Sequence, residues 1–62
     1  MTETDQRLRQ ARHDLSNPLA GILAETQMLL LDEEKLPPDA VESLRTIEKL
    51  TRRMRDLLEK LV

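Results

Sequence analysis

Asp32-Glu33-Glu34-Lys35-Leu36-Pro37-Pro38 decides the fold of this chain. Two successive prolines remove two backbone donors and stop a helix arriving from the N-terminal side. Pro38 itself suits the first position of a new helix, where its missing N–H would be unpaired anyway. Asp39 and Glu42 then put negative charge in the first turn, against the positive end of the helix dipole. Beyond them Ala40, Leu44, Ile47, Thr51, Met54, Leu58 and Leu61 recur at three- and four-residue spacing, and Val41, Leu50 and Leu57 widen the stripe. On the N-terminal side Leu8, Leu15, Ile22 and Leu29 recur every seven residues, with Ala11, Leu19 and Thr26 between them. Both patterns have helical period. The sequence thus predicts a helix over about 4–31, a turn over about 32–37 and a helix over about 38–62. Thr2 or Thr4 can cap the first helix, with Asp5 near its positive end. So short a connection makes the helices antiparallel neighbours.

Length and composition say what this hairpin needs. Sixty-two residues form at most one small domain, and the chain has no cysteine, no aromatic residue and one histidine. Disulfides and thiolate metal sites are excluded, and scaffolds of this size usually need a metal, a crosslink or a partner subunit. A hairpin cannot shield both apolar stripes, because each is wider than one partner helix covers. Pairing two hairpins closes a four-helix bundle. The expected fold is therefore all-α, an antiparallel two-helix hairpin that dimerises into a four-helix bundle with helices crossing near 20°. A fragment packed on a missing part of a longer chain is the other reading.

Several function classes fall away. The formal charge is −2, from 10 basic and 12 acidic residues, which gives no general attraction to nucleic acid or anionic lipid. Arg52, Arg53 and Arg55 are offset by Asp56 and Glu59 and read as a solvated helix face. The run Leu29-Leu30-Leu31 is far below the ~20 residues of a membrane span, and no signal peptide is visible. A cytoplasmic setting with no membrane contact by this segment is expected.

The chemistry lies in His13-Asp14-Leu15-Ser16-Asn17-Pro18-Leu19. With Leu8 at heptad position a, His13 falls at f, opposite the seam. Asn17 stands one turn along the same face, where its amide can hydrogen-bond a group on the imidazole or a nearby water. A neutral imidazole has one bare nitrogen that can act as nucleophile. A carboxylate at the other nitrogen fixes the tautomer and stabilises the cation formed on attack. Asp14 is the candidate, although adjacent helical residues do not face each other, so it needs a suitable rotamer or a local distortion. Pro18 offers distortion: it leaves the Asp14 carbonyl without its helical donor and crowds it, at a cost of ~3 kcal/mol in a regular helix, and a kink is expected there. Because the heptad runs in phase from Leu15 to Ile22, a bent but continuous helix is expected. With no further ligands beside His13 and Asp14, no metal site is expected.

This stretch resembles the phospho-acceptor motif of the dimerisation and histidine-phosphotransfer domain of bacterial sensor histidine kinases, which runs His, acidic, apolar, variable, Asn or Thr, Pro, Leu. Ala20-Gly21-Ile22 and the second helix also fit, so the resemblance covers about residues 7–62. It implies that His13 takes the γ-phosphate of ATP and passes it to an aspartate of a response regulator, as in two-component signal transduction. Asp14 would orient and deprotonate the ring, Asn17 would assist kinase or phosphatase chemistry, and Pro18 would permit helix bending. Asp14 stands where glutamate is commoner, and Ser16 where a basic residue is frequent. The implied partners are a second copy, an ATP-binding catalytic domain and a response-regulator receiver domain. With one glycine and no glycine-rich box, the chain is expected to bind no cofactor itself. ATP and Mg would come through the catalytic domain, and the chain, read as an acceptor domain excised from a longer kinase, should be inactive alone.

Below His13 the outward positions Ala20, Gly21 and Ala24 are small, with Gln27 following. Leu23, Met28, Leu30 and Leu31 make this end apolar on several sides. Small residues beneath a nucleophile let another protein's backbone approach, and exposed apolar residues add affinity, so a receiver domain is expected to dock here. The alternative is that these leucines pack on the second helix. A purely structural homodimeric coiled-coil module explains the heptads but leaves the His-Asp-Asn-Pro cluster unexplained. A monomeric histidine phosphotransfer protein needs a much longer chain and a Lys-Gly pair after its histidine.

Overall fold

In the computed structural model, which describes residues 2–61, two helices form a hairpin: α1 over Glu3–Leu30 and α2 over Pro38–Glu59. Thr2 is the cap of α1. Its hydroxyl accepts from the Asp5 N–H at 3.1 Å while the Asp5 carboxylate accepts from the Thr2 N–H at 3.5 Å, a reciprocal capping box. Pro18 lies inside α1, and the helix is unbroken through it. At the far end the Leu31 N–H reaches the Gln27 carbonyl at 3.2 Å and the Met28 carbonyl at 3.3 Å, so the last turn tightens. A single 3-10 turn over Glu33–Lys35 follows. Leu36 is extended, with ψ 151°, the conformation imposed on a residue before proline. Pro38 occupies the first turn of α2, and Arg45, about two turns further on, pairs with Glu33 of the 3-10 turn.

The second helix ends at Glu59, short of the expected end at 62. Its cap, Lys60, closes with a bond of 3.2 Å from its N–H to the Leu57 carbonyl. Val62 lies outside the described residues.

The hairpin is a thin rod, 50 × 14 × 11 Å. Between its helices the contact row on α1 is Ser16, Leu19, Leu23, Thr26 and Leu30; on α2 it is Ala40, Leu44, Glu48, Thr51 and Leu58. Leu19 is the one buried apolar residue among those described, alongside Thr26 and Thr51. Each threonine hydroxyl is satisfied by the carbonyl four residues back, Ile22 or Ile47, at 2.7 Å. The heptad row Leu15, Ile22 and Leu29 is not this contact row. Those side chains are exposed, as are Ile47, Leu50, Met54 and Leu57 on α2 and Leu61 just beyond it. The row facing α2 is turned from them by roughly a fifth of a helix circumference, at ~100° per residue.

With so little buried, Leu19 carries much of the hairpin's internal packing. Leu19→Ala should destabilise the fold by about 2–5 kcal/mol, the usual range for emptying a buried leucine site. Urea unfolding followed by helical circular dichroism measures this, and an unchanged midpoint would place the core elsewhere.

Candidate functional site

Two features of α1 set where His13 points. Around the helix, at ~100° per residue, it lies roughly opposite the exposed apolar row of Leu15, Ile22 and Leu29 and roughly 100° from the row that meets α2. Along the hairpin, Gln27 meets Glu48 at 3.3 Å, and Ser16 shares a groove with Glu59, the last residue of α2. The turns of α1 before Ser16, His13 among them, therefore run past the last turn of α2. His13 is exposed for both reasons, with its side chain at 72%.

One contact orients the ring. Asp14 Oδ1 lies 3.6 Å from His13 Nδ1, within Coulomb reach and longer than a hydrogen bond. Asp14 thus finds the rotamer that brings an adjacent helical residue beside its neighbour. Nε2 has no hydrogen-bond or ion-pair partner among the described residues. The same Asp14 oxygen accepts from Gln10 Nε2 at 2.9 Å. Gln10 was not singled out by the sequence reading, although its four-residue spacing from Asp14 is the signal that could have found it.

Asn17, Ala20, Ala24 and Gln27 continue the His13 face down the helix, each within roughly 40° of it. All four line one groove of about 430 Å³, whose other wall is Thr51, Arg55 and Glu59 of α2. The structure therefore brings four of the five expected small or polar surface residues together with α2 side chains that only the pairing of the helices could supply. Gly21 stands apart: it does not line the groove, and a Cβ built on it meets nothing within 4 Å. Nothing inside the hairpin requires glycine there. The apolar side chains divide. Leu23 and Leu30 are half-buried toward α2, whereas Met28 and Leu31 are 62% and 80% exposed at the foot of the His13 face. Arg52 pairs with Glu48 at 3.7 Å, and Arg55 lies 4.0 Å from Asp56. No helix among the described residues is long and apolar enough to cross a membrane.

Chemically the arrangement is an exposed imidazole with a carboxylate on one nitrogen and a free second nitrogen, an amide one turn below, and a shallow groove beneath. It places a ring nitrogen that can act as a nucleophile on an open surface above that groove. The family model for the His kinase A (phospho-acceptor) domain matches residues 4–62. No curated protein and no solved structure matches the chain.

Proposed function

This chain belongs to the His kinase A phospho-acceptor family, and from that premise we propose that it is the phosphotransfer and dimerisation domain of a two-component sensor kinase. The observation that carries this reading is the exposed His13 ring, with Nδ1 beside the Asp14 carboxylate. In the first step the Nε2 lone pair attacks the γ-phosphorus of ATP presented, with Mg, by a separate catalytic domain. The Nε2–phosphorus bond forms, the bond to the bridging oxygen breaks, and ADP leaves. Asp14 stabilises the positive charge that develops on the ring and takes up the Nδ1 proton. In the second step an aspartate carboxylate of a response regulator attacks the phosphorus, the Nε2–phosphorus bond breaks, and the proton returns from Asp14 to Nδ1 so that His13 leaves as a neutral ring. Asn17, one turn below, positions the phosphoryl group or a water, and Pro18 lets α1 bend as the partners exchange. A domain that uses ATP in this way belongs in the cytoplasm.

The exposed stripe of Leu15, Ile22 and Leu29 with Ile47, Leu50, Met54, Leu57 and Leu61 supports a second copy as the constitutive partner. Pairing there closes the four-helix bundle and leaves His13 on its outer wall. A purely structural coiled coil would use the same stripe but gives no account of the cluster on the opposite face.

The test is incubation of the chain with ATP and a matching catalytic domain, read as acid-labile phosphate on His13. The chain alone should take up none. A phosphorylated serine or aspartate in place of His13 would sink the reading.

The groove beneath His13, walled by Ala20, Ala24 and Gln27, supports docking of the regulator's receiver domain. Ala24→Arg should therefore slow transfer from phospho-His13 to the regulator by about tenfold, equivalent to ~1.4 kcal/mol of lost contact, while phosphorylation of His13 continues at its normal rate. Unchanged transfer would move the docking surface elsewhere.

A further inference from the structure

We propose that Gln10 is a positioning residue for the His13–Asp14 pair, an inference that rests on the phospho-acceptor reading above. Consecutive residues on a helix point about 100° apart and do not face each other. Left to itself, the Asp14 side chain has no reason to lie over the His13 ring. Gln10 is one turn before Asp14 and projects from the helix at an angle between those of Asp14 and His13. Its amide Nε2 donates to Asp14 Oδ1 at 2.9 Å, and this same oxygen lies 3.6 Å from His13 Nδ1. The hydrogen bond draws the carboxylate back toward the N-terminus and sideways toward the imidazole. A carboxylate oxygen has lone pairs for both donors, so the Gln10 bond does not block the approach of Nδ1–H.

The consequence concerns the tautomer. A carboxylate held beside Nδ1 favours the neutral ring with its proton on Nδ1 and its lone pair on Nε2, the form that can attack phosphorus. The hydrogen bond of the Gln10 amide goes to Asp14 and not to the ring, so its effect on the tautomer passes through Asp14.

Because His13 is the only histidine, long-range proton–nitrogen NMR of its ring in alkaline buffer reports the tautomer without ambiguity. In Gln10→Leu the Nδ1–H fraction should fall toward that of an unstructured histidine peptide. Phosphorylation in trans should slow by about three- to tenfold, part of the roughly 10²–10⁴-fold that a positioned proton acceptor supplies, with the KM for ATP unchanged. In an Asp14→Asn background Gln10→Leu should have no further effect on the tautomer, the non-additivity expected of residues acting in series. Circular dichroism checks that the variants keep their helices. An unchanged tautomer in Gln10→Leu would overturn the proposal. So would a rise in Nδ1–H, which would make Gln10 a competitor for the carboxylate, or an equal loss in the Asp14→Asn background. The tautomer readout needs no kinase, so a chain that never accepts phosphate would fail the functional reading and leave this measurement standing.

Discussion

His13→Gln should leave the hairpin folded and associated and reduce acid-labile phosphate to background. The loss is complete because an amide nitrogen has no free lone pair with which to attack phosphorus, and no other histidine exists to replace it. Stability should change by less than ~0.5 kcal/mol, as for surface substitutions outside special features. His13 is exposed, and its one charged contact is with Asp14, itself 63% exposed. Glutamine is also at least as good a helix former as histidine. The measurements are a phosphorylation assay with the catalytic domain in trans and a thermal melt of the same sample. Residual acid-labile phosphate in the variant would show that the acceptor is another residue. A collapsed melting temperature would show that the ring has a packing role.

Met54→Asp should have the second largest effect, on assembly. Met54 is 53% exposed in the single hairpin and sits in the middle of the α2 stripe between Leu50 and Leu57, themselves about half exposed. In a paired bundle this position is enclosed. The substitution then removes about 1.5–3 kcal/mol of apolar burial and places an unpaired carboxylate in the seam, which costs several kcal/mol more. Two-fold symmetry applies both terms twice. The expected result is a shift from dimer to monomer at micromolar concentration by light scattering. A large loss of helicity should accompany it, because the hairpin's own core holds only Leu19, Thr26 and Thr51 among the described residues. Aspartate is the stricter test than lysine, whose long stem can carry its charge out to water. A variant that remains a helical dimer would show that the exposed stripe is not where two copies meet.

Much of this was readable in the order of residues. The prolines at 37 and 38 stop and restart a helix by local rules, and Leu36 is extended for the same local reason. The capping box at Thr2 and Asp5 and the exposure of His13 follow from positions a few residues apart. The exchange of roles between the two rows on α1 was not readable. Leu15, Ile22 and Leu29 and the set around Leu19 and Leu23 are both spaced at helical period, and periodicity ranks neither. The end of α2 at Glu59 was also missed, since the apolar pattern runs on to Leu61. At the site, the residue types of His13, Asp14 and Asn17 pointed to the chemistry, but the Gln10–Asp14 bond and the groove wall of Thr51, Arg55 and Glu59 did not show themselves.

Sequence alone determined two helices, one turn and a histidine on an outward face, because these depend on interactions within about four residues along the chain. Tertiary structure decided which apolar row meets α2 and which stays exposed. It also set which α2 side chains stand beneath His13. Those choices depend on the register of one helix against the other, fixed where Leu19, Thr26 and Thr51 are buried and Gln27 meets Glu48, and no local rule specifies a contact between residues more than twenty positions apart.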